Sequence, residues 1–324
     1  MLYLGIDVGN FDTKSQNTVI PSGYEGPFTS KPPIAKQYLM YNGNYYIPTT
    51  TRFPYLKDKT TNERALFLTL MSIGSELIYK FSKVKSDEQP RTKEEIQYMI
   101  SSVTEIALGV GLPPNHYTSK FVSKLITYYN NYMQEGISFE YNGFIFNFSL
   151  KNCKVYPQGG AGAVCINKIT SFPAYFIVDI GGYTVDTIFF ENNTPSGKWS
   201  SKEKGIITLY DDIIDKVAME HDMTIDARNI ESVLKEEKNI LSAEVKETIK
   251  SMTQHHADTI LNTLKESGIE FKAYPCLFMG GGSLLLKPYI IKNPLISKEG
   301  IHFISDNKAN AIGYARLLKA DLKK

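Results

Sequence analysis

The stretch Tyr175–Glu191, YFIVDIGGYTVDTIFFE, constrains what this chain can fold into more than any other. A run of β-formers ends at Asp179, Gly181-Gly182 makes a turn, and Tyr183 to Phe190 resumes an apolar β pattern. The spacing predicts a strand, a tight glycine turn and a returning strand. A carboxylate, Asp179, stands at the entrance of the turn and a hydroxyl, Thr184, just past it. Glycines let backbone N–H groups approach an anion closely, because no Cβ intervenes. A carboxylate in that place can hold a hydrated divalent cation on the anion. The stretch is a candidate clamp for phosphate and magnesium, although a lone glycine hairpin commonly binds nothing.

A second copy opens the chain. In LYLGIDVGNFDTKSQ, residues 2–16, Asp7, Gly9 and Lys14 take the places of Asp179, Gly181 and Asp186. Two hairpins, one per half of the chain, predict a duplicated fold with a site shared by the halves. A third glycine element, LFMGGGSLLL at Leu277–Leu286, reads as a strand that delivers Gly280, Gly281, Gly282 and Ser283.

The length of 324 residues allows two domains with real cores. A formal net charge of +2 makes no case for direct nucleic-acid or membrane binding. Asp7 interrupts the first apolar run, which argues against a secretory leader, and no apolar run is long enough to span a bilayer. Cys153, Cys165 and Cys276 lack metal-ligand spacing and read as buried thiols in a reducing cytoplasm.

Along the chain, Leu2–Val8 should be a central strand, with Thr18–Ile20 continuing its sheet. Gly23–Pro33 reads as a loop. Asn42-Gly43 and Asn142-Gly143 are strong hairpin signals, since a type I′ turn needs positive φ at both positions. Thr60/Glu63 and Thr92/Glu95 form capping-box patterns before helices, the first helix turning Ala65, Leu66, Thr69, Leu70, Ile73 and Leu77 inward. Val103–Val110 should be a strand and Ser119–Tyr132 a helix with Phe121, Leu125 and Tyr128 inward. At Val155–Val164 a strand meets Pro157 and a helix begins among small residues. Asn192–Lys198 reads as a turn. The helix after Gly205 carries Asp211, Asp212 and Asp215, read as solvated acids near a helix start rather than a metal site. Leu241–Leu264 should be a long amphipathic helix with Gly268 as its C-cap, and His255-His256 on it read as surface residues. Small residues Ala309, Ala311 and Gly313 permit close helix packing.

The paired hairpins resemble the two phosphate loops of the actin, sugar-kinase and heat-shock-chaperone ATPase superfamily, and Leu277–Leu286 resembles its adenosine loop. Segments such as DKTTNERALFLTLMSIGSEL and the strand running into GLPPNHY are similar to the ParM (StbA) group of bacterial actin-like plasmid-segregation proteins. The resemblance implies an α/β, actin-like fold: two ribonuclease-H-like domains with a nucleotide cleft between them. Residues 1–156 plus 306–324 would form domain I and 157–305 domain II, with hinge crossings near Gln158 and Asn310. ATP and Mg²⁺ are the implied cofactors. Asp7 and Asp179 would hold the metal, mostly through water. Gly9, Asn10, Phe11, Lys14, Gly181, Gly182, Tyr183 and Thr184 would cradle phosphates, and Gly280, Gly281, Gly282 and Ser283 would meet adenosine. Gln158 falls where the superfamily places the Gln or Glu that orients the attacking water; many ParM-like proteins have Glu there, so a Gln weakens a claim of full proton abstraction.

The resemblance further implies a cytoplasmic ATPase that assembles head to tail into filaments, disassembles on hydrolysis and drives plasmid copies apart. Its partner would be a DNA-binding adaptor of a partition complex, with no direct nucleic-acid or membrane contact. A small-molecule kinase and a nucleotide-gated binding module of the same superfold are the alternatives. No P-loop is present, since VGNFDTK lacks the required spacing.

Overall fold

A computed structural model of the chain describes residues 1–51, 53, 63–84, 89–163 and 171–323. It divides into two compact units, Met1–Cys165 with Lys308–Lys324, and Ile166–Asn307.

The first unit contains strands β1 (Leu2–Val8), β2 (Asp12–Lys14), β3 (Val19–Pro21), β4 (Tyr24–Phe28), β5 (Leu39–Tyr41) and β6 (Asn44–Pro48). Helices α1 (Glu63–Ser82) and α2 (Lys93–Ser101) follow, then β7 (Glu105–Leu112), α3 (Ser119–Met133), β8 (Ile137–Tyr141), β9 (Phe144–Pro157) and α4 (Gly160–Ala163). Its strands form one sheet in the order β3-β2-β1-β7-β9-β8-β5-β6-β4. The second unit runs β10 (Ala174–Ile180), β11 (Val185–Glu191), β12 (Thr194–Lys202), α5 (Ile206–His221), α6 (Ala227–Leu234), α7 (Ala243–Glu266), β13 (Cys276–Met279), α8 (Gly281–Ile290) and β14 (Ile301–Phe303). Its sheet order is β12-β11-β10-β13-β14. The last helix, α9 (Ala309–Asp321), belongs to the first unit.

The two sheets share one plan. β1 pairs antiparallel with β2 and parallel with β7; β10 pairs antiparallel with β11 and parallel with β13. The segment β3-β2-β1-β7-β9 thus has the same order as β12-β11-β10-β13-β14. Strands flanked on both sides within a sheet and covered on both faces read as continuous apolar runs. β10 accordingly buries Tyr175 through Ile180 without a break.

Helix α1 shows how the core of the first unit is built. Ala65, Leu66, Thr69, Leu70, Ile73 and Leu77 are buried as the pattern predicts, but so are Phe67, Leu68, Met71 and Glu76. A helix buried around most of its circumference is an interior element, not a surface one. The capping box of α2 forms as expected, with Thr92 accepting from the Glu95 N–H and Glu95 accepting from the Thr92 N–H. Both Asn-Gly turns adopt the required left-handed backbone, with φ of 49° and 76° at Asn42 and Gly43, and 53° and 80° at Asn142 and Gly143. Gly268 ends α7 in a Schellman arrangement: its N–H donates to the Lys265 carbonyl and the Ile269 N–H to the Leu264 carbonyl. Leu125 and Tyr128 of α3 are buried, while Phe121 is only partly so. Thr60 and Cys165 lie outside the described residues; Cys153 and Cys276 are free and buried.

Two expected loops are strands instead. Within Gly23–Pro33, β4 pairs with β6; within Asn192–Lys198, the turn is only Asn192-Asn193 and β12 has begun by Thr194. Among the described residues both strands are sheet edges. An edge strand tolerates proline and polar residues because one side of its backbone has no partner to satisfy, so Pro27 and Pro195 disguised them.

Gly5 on β1 marks a close approach. A Cβ there would lie 1.9 Å from the Ala311 carbonyl oxygen of α9. Backbone on both sides leaves no rotamer escape, so Gly5→Ala should lower stability by about 2–3 kcal/mol. Urea denaturation checks this: a wild-type midpoint would mean that α9 does not rest on β1.

Candidate functional site

The two hairpins have the same register. Across β1 and β2, Asp7 faces Lys14 and Val8 faces Thr13. Across β10 and β11, Asp179 faces Asp186 and Ile180 faces Val185. The residues left between the innermost pairs, 9–12 and 181–184, are equal in number and sit at the same point of each sheet. Residues directly opposite in an antiparallel pair point to the same face, so Asp7 and Lys14 share a face, as do Asp179 and Asp186. Asp7 is 6% exposed and Asp179 7%. A buried carboxylate at a strand end needs polar partners to offset its desolvation.

In the first unit one such partner is Gln158, the residue after β9. Its Nε2 donates to Asp7 Oδ1 at 2.9 Å. A carboxylate oxygen accepts and does not donate, so the amide nitrogen must face Asp7. That leaves Gln158 Oε1 as an acceptor for another group. The Gln158 backbone is held by its N–H to the Leu112 carbonyl of β7 at 2.8 Å. The next residue, Gly159, donates its N–H to Asn310 Oδ1 at 2.9 Å. Asn310 is buried in the first turn of α9. The structure thus brings Asp7, Lys14 and Gln158 together around the first loop. Gly9 and Asn10 of that loop also line a small cavity of about 40 Å³ with Arg64, Leu68 and Tyr129. The Phe11 carbonyl accepts from the Ser22 N–H at 3.2 Å, tying the loop to the far end of β3.

In the second unit the loop is fastened to a helix start. The carbonyls of Gly181, Gly182 and Tyr183 accept the N–H groups of Ile206, Ile207 and Gly205 respectively, at 3.1, 2.8 and 2.9 Å. These are the N–H groups that an α-helix leaves without an intrahelical partner. With its carbonyls committed to α5, the loop is held in one conformation. Thr184 Oγ1 donates to Asp186 Oδ2 at 3.0 Å. The glycine turn after β13 also arrives here: β13 is the parallel neighbour of β10, with Met279 facing Asp179. Gly280 has φ +85°, and a Cβ there would lie 2.3 Å from Asp179 Oδ1. Ser283 is fully buried and donates to the Gly280 carbonyl at 2.9 Å, so its hydroxyl serves the turn itself. Asp179, Gly181–Thr184 and Gly280–Ser283 are therefore one cluster.

Reading the sequence missed the Gly205–Ile207 clamp and the role of Asn310 as a side-chain cap for Gly159. Gly205 ahead of an apolar helix was a visible signal for a tight helix entry; no local pattern announced the Asn310 contact. In the second unit, Arg228 forks onto Asp226 and Lys216 pairs with Glu220.

The acidic group on α5 differs from expectation in position. The helix starts at Ile206 and its first turn carries no acid, so Asp211, Asp212 and Asp215 lie beyond the reach of the dipole argument. Partial burial, and then the like charges of Asp212 and Asp215, push the Asp211 carboxyl above its ordinary pKa.

His255 is exposed, as expected, whereas His256 is partly buried. Its Nε2 lies 3.2 Å from the Lys204 carbonyl, and burial lowers its pKa from the ordinary 6.5. The folded state resists protonating this ring, whereas the unfolded chain does not. Stability from His256 is therefore present above pH 6.5 and lost as pH falls from there through the lowered folded value. His256→Gln should flatten the fall in thermal midpoint between neutral pH and pH ~5; an unchanged slope would assign that fall to other groups.

Comparison with known proteins places this geometry in a known fold. The archaeal actin homologue MreB-like C-terminal family matches residues 177–292. Comparison with curated protein sequences gives no match. Among solved structures, the archaeal actin homologue Ta0583 in complex with ADP superposes with a TM-score of 0.72 at 16% identity, over 99% of this chain and 100% of that one. The ParM of a 15-stranded filament from Clostridium botulinum gives 0.73 at 18% identity, over 98% and 99%. Bacillus thuringiensis ParM with ATP gives 0.64 at 12% identity, over the full length of both chains. The fold is actin-like, and the resemblance to ParM-type actin homologues holds across the whole chain at the level of the fold.

Proposed function

We propose that this chain is an ATPase that assembles into actin-like filaments and serves plasmid partition. The observation that carries the nucleotide reading is the repeated register, in which a buried Asp precedes an equal-length loop in each unit. The similarity of the fold to an actin homologue solved with ADP and to a ParM solved with ATP supports it.

In this reading the first unit contributes Asp7, Gly9, Asn10, Phe11 and Lys14, and the second contributes Asp179, Gly181, Gly182, Tyr183 and Thr184 to phosphate binding. Gly280, Gly281, Gly282 and Ser283 meet adenosine, Ser283 through its backbone. Asp7 and Asp179 fit a hydrated Mg²⁺, since each is a buried carboxylate at the mouth of its loop and a carboxylate oxygen can accept more than one hydrogen bond. Bound there, the ion would neutralise charge on the phosphates. Lys14 adds a fixed positive charge on the same face as Asp7.

Gln158 orients water. With Nε2 committed to Asp7, Oε1 accepts a water O–H and turns the oxygen lone pair toward the terminal phosphate. An amide is too weak a base to take the proton fully, so its contribution is position rather than proton abstraction. Phosphoryl transfer needs little more from a protein than position and charge stabilisation.

Head-to-tail self-association is the second part of the proposal. A heterologous contact whose rotation does not close on itself gives an open filament, and the similar ParM from Clostridium botulinum is known as a filament. A DNA-binding adaptor would link the polymer to a plasmid.

The deciding experiment records right-angle light scattering and phosphate release together after ATP and Mg²⁺ are added to the purified chain. A rise in scattering that decays as phosphate appears is expected. Phosphate release without polymer at any protein concentration would remove the self-sufficient filament and favour a kinase-like or partner-dependent ATPase. Gln158→Ala should slow phosphate release about 100-fold while leaving ATP binding near wild type. Release at the wild-type rate would exclude Gln158 as the water-orienting residue.

A further inference from the structure

We infer that Glu76, on the far side of the sheet from the phosphate-binding face, is the positioning residue that sets Lys14; the inference rests on the nucleotide reading above. Glu76 is 2% exposed, in the interior of α1. An acid buried that deeply is retained only where several donors converge on it. Three do. Ser15 Oγ donates to Oε2 at 2.5 Å, the Asn17 N–H donates to Oε2 at 2.9 Å, and Asn17 Nδ2 donates to Oε1 at 2.5 Å. All three come from the turn between β2 and β3, which begins immediately after Lys14.

The rest of that turn is fastened as well. β2 is only three residues long and pairs with β1 no further than Asp7. Beyond that point the Gln16 side-chain amide replaces a strand: it accepts from the Gly5 N–H and donates to the Tyr3 carbonyl, both at 3.0 Å. Ser15 Oγ lies 2.7 Å from Thr18 Oγ1 and accepts the Thr18 N–H at 3.0 Å. The tetrapeptide 15–18 thus has each side chain in a fixed role, which is unusual for a hairpin tip.

Alternation in β2 explains what this achieves. Thr13 and Ser15 are fully buried toward α1, and Lys14 between them points to the face it shares with Asp7. Glu76 therefore pulls the strand down from below at Ser15 and Asn17, and Lys14 is presented above at a fixed height. Without the carboxylate, Asn17 N–H and Nδ2 lose their acceptors, and so short a strand has little else to hold its register.

The test is a double-mutant cycle on the full chain, with KM and kcat for ATP measured with Mg²⁺ present. Lys14→Ala and Glu76→Gln should each raise KM about tenfold with little change in kcat, and the double variant should be no worse than Lys14→Ala alone. If Glu76→Gln does not fold, Asn17→Ala removes one of the three bonds from an exposed residue and should raise KM less, again without adding to Lys14→Ala. A wild-type KM in the folded Glu76→Gln or Asn17→Ala variant, with Lys14→Ala impaired, overturns this inference alone. Effects that add to those of Lys14→Ala also overturn it, since Glu76 would then act elsewhere. An unimpaired Lys14→Ala removes the phosphate role of Lys14, and this inference with it.

Discussion

The pairing of β1 with β2 and of β10 with β11 governs the candidate site. Side chains in a paired strand alternate, so one register decides which residues reach a given face. In both hairpins it places an Asp opposite the polar residue of the returning strand, just before a loop of the same length. A slip of one residue in either hairpin would turn Asp7 or Asp179 to the opposite face of its sheet, away from the polar residue it now faces. A buried charge without partners costs several kcal/mol in real proteins, so such a slip is strongly disfavoured.

The rest of each unit secures that register by different means. In the first, α9 lies on Gly5, Asn310 caps Gly159, Gln158 reaches Asp7, and α1 holds the β2–β3 turn through Glu76. In the second, three loop carbonyls take the N–H groups at the start of α5, and the turn before α8 presses on Asp179. The duplicated sheets thus carry unlike supports. The residues flanking the first loop are held by side-chain amides and a carboxylate, whereas the second loop is fastened through its backbone carbonyls.

Much of this was legible in the residues. Leu2–Val8 ends where its pattern predicts, both Asn-Gly turns form, and the equivalence of Lys14 with Asp186 is the observed register. Those features depend on local chemistry: apolar periodicity, positive φ, and the spacing around a glycine. The edge strands β4 and β12 were not legible, because an edge has no second neighbour and carries no apolar signature. The partial burial of His256 was not legible for a related reason: the Lys204 carbonyl it meets lies 52 positions away.

The sequence by itself determined that two strand–Asp–glycine hairpins exist, where they turn, and that a third glycine turn follows a buried strand. Those are consequences of steric rules acting over a few residues. Only the tertiary structure decided that Gln158 donates to Asp7 across 151 positions, that Asn310 caps Gly159, and that Glu76 anchors the residues after Lys14. Each of these is a hydrogen bond whose partner is chosen by sheet order and helix packing, and pairing over such separations leaves no periodic trace in the chain.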